Sequence, residues 1–156
     1  MRRRDREIET TEEMLAVIDS CQVMRIGMID GDSVYVLPMT FGYEYDNSEL
    51  VFYMHGALEG KKLDLIRNNP KVGFEMDCEH KLVEGKVACQ YAFHYASIVG
   101  KGIAEVVDDP QEKIKGMSSL MKGMTGKDFE FNEKLVSIVS VIKITATEFS
   151  GKRRGN

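Results

Sequence analysis

The densest run of groups able to do chemistry is Tyr53-Met54-His55-Gly56-Ala57-Leu58-Glu59-Gly60-Lys61-Lys62. It closes an apolar stretch, Leu50–His55, and opens a helical pattern over Lys61–Asn68 in which Leu63, Leu65 and Ile66 are apolar. Backbone N–H groups at a helix start attract anions, glycine lets a phosphate come close, and two adjacent lysines add charge. A phosphorylated ligand is one reading; two solvated lysines behind a plain turn is the other. The run is not GxxxxGK[ST], so a nucleoside triphosphate is not indicated. His55 could donate a hydrogen bond to a phosphate or to a polar cofactor edge, or move a proton, or be satisfied by local backbone.

Other candidates carry less. Cys78-Glu79-His80, with Cys89 and His94 further on, matches no standard zinc spacing, so no metal is expected. There is neither a GxSxG elbow nor a recognisable Cys/His motif, which leaves hydrolase chemistry without a nucleophile. Met117, Met121 and Met124 could flank a flat ligand or simply fill a core. Arg25, inside a strand pattern, points a charge either toward a cleft or to solvent.

The elements that must position these groups follow from periodicity. Thr10 can cap a helix over 10–20, with Glu13 at N3 and Met14, Leu15, Val17 and Ile18 on one face. Val23–Ile29 and Val34–Met39 flank Asp30-Gly31-Asp32 as a β-hairpin. Phe41–Tyr45 and Leu50–His55 are further strands, separated by Asp46-Asn47-Ser48. After the helix ending at Asn69-Pro70, Val72, Phe74 and Met76 alternate with polar or small residues as in a half-buried strand. Residues 78–90 read as irregular. Tyr91–Val107 is a long β segment in which Gly100 and Gly102 allow a bulge or bend. Asp108-Asp109-Pro110 opens a helix carrying Ile114, Met117, Leu120 and Met121, and Leu135–Thr145 is the last β segment. Six or seven strands joined mostly by short turns indicate a mainly β protein, an antiparallel barrel with peripheral helices.

Length and composition agree. The 156 residues suit one domain, 1–156, with 43% hydrophobic and 29% charged residues, which excludes disordered and collagen-like classes. The net charge of −4 is uneven: residues 1–9 sum to +1 and 152–156 to +3, around an acidic body. An acidic body argues against a broad nucleic-acid face. Three irregularly spaced cysteines make no disulfide framework and suit a reducing cytoplasm. MRRRDREIE lacks the apolar stretch of a secretory signal, and the longest run free of Asp, Glu, Lys and Arg, Val87–Gly100, is too short for a membrane span.

An order of motifs carries a resemblance. The Arg-rich start, Val36-Leu37-Pro38-Met39, Tyr53-Met54-His55-Gly56-Ala57 with Gly60-Lys61, Asn69-Pro70-Lys71-Val72, and Tyr95-Ala96-Ser97-Ile98-Val99 with Gly102 together resemble the flavin-binding split-barrel superfamily. Within it the chain is most similar to the nitroimidazole-resistance (Nim-type) proteins, relatives of pyridoxamine-phosphate oxidase. The resemblance implies a six-stranded antiparallel split barrel and a homodimer holding FMN in clefts between two subunits. It places Val36, Leu37, Pro38, Met39 and Thr40 along the isoalloxazine ring, largely through backbone groups. Lys61 takes the phosphate with Lys62 and Ser97 as neighbours, Tyr53 and Met54 approach the flavin or ribityl chain, and His55 lies near the ring.

The implied activity is an FMN-dependent oxidoreductase acting on a small acceptor such as a nitroaromatic. No GxGxxG is present, so NADH or NADPH as donor would stack transiently on the flavin. The arginine and histidine arrangement that recognises pyridoxal phosphate near the C terminus is missing, so vitamin B6 oxidation is not implied. The superfamily also includes flavin binders without turnover, such as carriers, sensors or storage proteins, and binders of haem or deazaflavin, because the fold alone does not dictate catalysis.

Overall fold

Alternation along the strands sorts the apolar residues onto two faces, and the chain folds so that both are covered where helices pack. The computed structural model describes residues 3–155. A short 3-10 turn at Arg4–Arg6 leads to β1 (Glu7–Ile8) and α1 (Thr11–Ser20). Then come β2 (Met24–Asp30), β3 (Ser33–Met39), β4 (Gly42–Asp46), β5 (Glu49–Gly56), α2 (Lys61–Asn68) and β6 (Lys71–Val83). A 3-10 turn at Ala88–Gln90 precedes β7 (Ala92–Val107), α3 (Pro110–Thr125), α4 (Glu133–Val136) and β8 (Ser140–Arg154). The strands form one antiparallel sheet in the order β3-β2-β6-β7-β8-β5-β4, with β1 added to β8. The two ends of that order, β3 and β4, do not hydrogen-bond to each other among the described residues, so the sheet curls without closing: a split barrel.

The helix caps form as expected. Thr10 Oγ1 accepts from the Glu13 N–H at 3.3 Å, and Asp109 from the Glu112 N–H at 2.8 Å. Three expectations need correction. The sheet has eight strands rather than six, one being the two-residue β1 paired through Glu7 and Ile8 to Lys152 and Gly151. Residues 78–83 are not irregular. They continue β6 past a bulge between Cys78 and Lys81, where Glu79 takes φ +60°. The last β segment starts later and runs further than 135–145. Asn132 caps a helical turn by accepting from the Leu135 N–H at 3.0 Å, and β8 then pairs with β7 as far as Arg154. Its charged second half stays in the sheet because those side chains need only one solvated face.

The barrel core is built by Met24, Ile26, Met28, Phe52, Met54, Phe74, Met76, Ile98, Ile142 and Ile144, with Val17 and Ile18 of α1 and Leu63 and Ile66 of α2 packed in. Phe52 stands edge-on to Phe41 and to Phe74, with centroids 5.7 and 5.1 Å apart. Phe74 in turn lies over Gly100, where a Cβ would come within 2.3 Å of its ring. A second, smaller core forms on the other face of β5 and β8. There Val51, Tyr53, Val107 and Val141 meet Met117, Leu120 and Val136 of α3 and α4.

Tyr53 locks α3 down through a polar contact. Its phenol donates to Glu112 Oε1 at 2.8 Å, and Lys143 Nζ lies 3.0 Å from the same oxygen. Burial alone would raise the Glu112 pKa, but the hydrogen bonds from Tyr53 and Lys143 hold it below its usual value. Burial pushes the Tyr53 phenol well up, reinforced by the Glu112 hydrogen bond.

Two outcomes follow from α3 docking. Gly42→Ala would place a Cβ 2.4 Å from the Ser119 and Leu120 backbone, so α3 must move; urea unfolding should show a loss of about 2–3 kcal/mol. Tyr53→Phe should cost about 1.5–2 kcal/mol, for a hydrogen bond to a charged group. Glu112 titrates lower folded than unfolded, so its contribution is complete above its ordinary value of 4.5 and is lost as pH falls through the folded value. The gap between wild type and Tyr53→Phe should therefore be widest above about pH 4.5 and narrow in more acid solution, as thermal melts across that range will read.

Candidate functional site

β5 delivers the candidate site because it is gripped on both faces. Leu50, Phe52 and Met54 point into the barrel and Val51 and Tyr53 into the second core, so the strand emerges at His55 and Gly56 with little freedom. His55 is exposed and pairs through its backbone with Val141. The loop after it is tied down by Ser140, the one buried polar residue among those described, whose Oγ donates to the Ala57 carbonyl at 2.7 Å. Gly60, at φ +143°, caps the start of α2 with its carbonyl accepting from the Leu63 N–H at 2.9 Å. The first N–H groups of α2 have no acceptor within the helix, which makes its start a place for an anion.

The two lysines part there. Lys62 folds back over the loop, so that a Cβ on Gly56 would sit 2.6 Å from its Nζ and 3.7 Å from Ser140 Oγ. A Cβ at 56 would push that flexible ammonium aside. Lys61 instead crosses to the β2–β3 hairpin, with Nζ 2.5 Å from Asp30 and 5.1 Å from the centre of the Tyr35 ring. The Asp30 hydrogen bond raises the Lys61 pKa, so the ammonium stays charged. Lys61 thereby joins the end of β5 and the start of α2 to β3.

β3 pairs with β2 alone among the described strands, leaving one edge of its backbone without a sheet partner. Tyr35, Leu37 and Met39 pack against the core, whereas Val36 and Pro38 are exposed on the outer face and Thr40 follows the strand half-buried. A neutral, unpaired strand edge thus lies on the same side of the molecule as two ammonium groups and a helix start.

The structure brings together Lys61, Lys62, His55 and the strand preceding Thr40, but not every residue singled out in the sequence. Tyr53 and Met54 are buried with their side chains in the two cores, so only their backbone can face a ligand. Ser97 lies on β7 between Asp77 and Lys152. The β2–β6 register puts Arg25 opposite Glu75, so Asp77 and Ser97 stand beyond the N-terminal end of β2 while Lys61 sits at its C-terminal end. At a strand rise of about 3.3 Å per residue, the two are on the order of 20 Å apart within one chain. Arg25 faces outward, bonded to Glu75 at 3.0 Å and to Asp77. Met117 is buried in the second core and Met124 is exposed on α3. His80 lies 2.6 Å from Asp77, and no group of three metal-ligating side chains occurs among the described residues.

Sequence reasoning missed Asp30 and Ser140. Asp30 read only as a turn residue, although a carboxylate at the tip of a hairpin is a natural partner for a nearby lysine. Ser140 had no local signal, since the loop it holds is 83 positions away.

Beyond the site, the outer sheet face carries an exposed apolar patch of Ile29, Val34, Val36, Val99 and Ile103, with Val34 and Val36 62% and 59% exposed. Gly27 faces Gly73 across β2 and β6, leaving the floor flat, and Arg25, Glu75, Lys101 and Glu148 border a cavity of about 700 Å³ above it. No helix among the described residues is long and apolar enough to cross a membrane.

Comparison with known proteins fits this architecture. No curated protein sequence matches the chain significantly. Among solved structures, a candidate 5-nitroimidazole antibiotic resistance protein from Bacteroides thetaiotaomicron is 28% identical with a TM-score of 0.81, covering 94% of this chain and 86% of that one. A flavocytochrome from Azotobacter vinelandii has a TM-score of 0.81 at 19% identity, covering 100% of this chain and 72% of that one. An FAD- and haem-binding protein from Mycobacterium smegmatis has a TM-score of 0.80 at 15% identity, covering 97% and 74%. At such identities these last two speak to fold alone. The family model described as pyridoxamine 5'-phosphate oxidase matches residues 10–153, nearly the whole fold, and the chain belongs to that family.

Proposed function

We propose that this chain is a flavoprotein that binds FMN and passes reducing equivalents from NADH or NADPH to a small acceptor, with a nitroaromatic as the acceptor class. The observation that carries the reading is the meeting of Lys61, Lys62 and the α2 start with the open, neutral edge of β3. A singly phosphorylated, flat ligand asks for that combination: a cationic end for the phosphate and an uncharged backbone edge for the ring. Family membership and the nitroimidazole-resistance relative support it.

The residues present fit FMN. Lys62, held over Gly56, and the α2 N–H groups would take the phosphate, with Lys61 turning from Asp30 to join them. Backbone groups of Val36–Thr40 would lie along the ring, and N–H donors there would favour negative charge on its polar edge. When bound, the flavin supplies the hydride and electron chemistry. His55, exposed at the end of a rigid strand, would hold or deliver a proton at an imidazole nitrogen toward the acceptor.

The site is completed in this reading by a second copy. Exposed apolar patches of this kind mark association surfaces, and a twofold pair meeting on the Val34–Val36–Val99 face would let Ser97 of one subunit reach the site of the other, which its own chain does not allow.

Purified protein should therefore be yellow and elute as a dimer. Lys61→Ala should weaken FMN binding about tenfold, the loss of one charge-assisted contact, measured by flavin fluorescence titration. Anaerobic NADH or NADPH should bleach the flavin bands and a nitroaromatic restore them. A colourless protein, a Soret band, or flavin that no donor reduces would each overturn a part of the reading: cofactor, cofactor class and turnover, respectively. Val36→Asp should give a monomer that loses flavin; a flavin-retaining monomer would refute the shared site.

A further inference from the structure

Past Ser97 the sheet narrows to the ends of β6, β7 and β8. They surround an open cavity of about 530 Å³ lined by Glu79, Lys81, His94, Arg153, Arg154 and Gly155. Strand register assembles this lining: Lys81 pairs with His94 across β6 and β7, and Tyr95 with Arg154 across β7 and β8. Glu79 and Arg153, 74 positions apart in sequence, meet there.

Charge in the cavity does not cancel. Its one carboxylate, Glu79, accepts from Arg153 Nε at 3.1 Å and from Nη2 at 2.9 Å. Lys81 and Arg154 have no carboxylate within 4.0 Å among the described residues. Three cations thus face one anion, in a chain whose net charge is −4. Arg154 and His94 are half-buried, so salt and water screen them less than they do a fully exposed lysine. Gly155, at φ +125°, lies against His94, where a Cβ would come within 2.6 Å of the ring, so backbone rather than a side chain forms that wall.

We propose that this cavity is a second anion site, which takes the dianionic phosphate monoester of a small soluble molecule. Lys81 and Arg154 supply the uncompensated charge. The Arg154 guanidinium can present two parallel donors to phosphate oxygens, and a neutral His94 ring adds one N–H. Arg153 is engaged by Glu79 and contributes less. An extended polyanion would also meet the acidic body of the chain, which favours a small ligand.

The cavity is separate from the loop after β5. Ser97 lies on the order of 20 Å from Lys61 within one chain, and His94 is three residues further along β7, about 10 Å more. Two molecules could bring the phosphate: a free phosphorylated metabolite, or NADPH through its adenosine 2'-phosphate. The second source rests on the proposed function, in which Ser97 reaches the partner's flavin; the site itself does not.

Titration with inorganic phosphate, followed through the histidine NMR signals, tests the site. Phosphate should shift the His94 signals saturably in flavin-loaded protein. It should do the same in flavin-free Lys61→Ala/Lys62→Ala protein, where the loop lysines are gone. Lys81→Ser with Arg154→Ser should weaken the phosphate affinity about tenfold or more, and Glu79→Gln, which releases Arg153, should tighten it several-fold. His94 signals that stay still in both proteins, or an affinity unchanged by the Lys81→Ser/Arg154→Ser pair, would overturn the proposal. Steady-state rates then separate the sources. A KM that the pair raises for NADPH but not for NADH assigns the site to the donor, and one unchanged for both assigns it to a free phosphorylated molecule. The flavin-free titration needs no cofactor, so it stands or falls apart from the proposed function.

Discussion

The double burial of β5 is the constraint on which the rest depends. A strand with one wet face can slip or fray at its end, but β5 has Phe52 and Met54 in the barrel and Val51 and Tyr53 under α3. A slip by one residue would exchange the two sets, and the larger aromatic would no longer match the pocket between Phe41 and Phe74. The register of β5 against β8 is thereby set, and with it the point where His55, Gly56 and the α2 start leave the sheet. The polar lock of Tyr53 on Glu112 and Lys143 extends the same constraint to α3.

Charge is handled differently at the site and elsewhere. Across the outer sheet face, Arg25 and Lys101 each face carboxylates at hydrogen-bond distance, pairs that contribute little to stability but leave little free excess of charge. Lys61 has one carboxylate, Asp30, and Lys62 lies over a glycine beside a serine hydroxyl. An incoming phosphate would compete with a single exposed ion pair, which costs little to break. The basic ends of the chain, by contrast, come together because β1 pairs with β8, Glu7 opposite Lys152, so their charge gathers away from the loop after β5.

Much of this was legible because the signals were local. Alternation at Val72, Phe74 and Met76 marks β6, Thr10 and Asp109 mark helix starts, and the glycine and lysine spacing after His55 marks the loop. What stayed hidden depends on contacts distant in sequence. Residues 78–83 look irregular because the bulge breaks alternation, yet pairing with β7 resumes beyond it. The charged stretch 146–154 lies past the end of the last β segment expected from the sequence, and stays in the sheet because β7 supplies its partner. Tyr53 looks as suitable for a ligand as His55 does, since nothing nearby in sequence announces Glu112, 59 positions on.

In the proposed reading a complete site needs two chains, and the sheet itself supplies the reason. A barrel that buries its core with one sheet must expose the sheet's other face, and only part of that face is covered by α3 and α4. The uncovered part is apolar at Ile29, Val34, Val36, Val99 and Ile103, flat at Gly27 and Gly73, and bordered by paired charges. It adjoins β3, whose free edge leaves sheet backbone without a partner beside Lys61 among the described residues. Covering that face with a second copy would remove apolar surface from water and, in the same event, roof the β3 edge. In the proposed reading, association and ligand enclosure are therefore one process, so the affinity for a flat phosphorylated ligand and the tendency to pair should be linked, each strengthening the other.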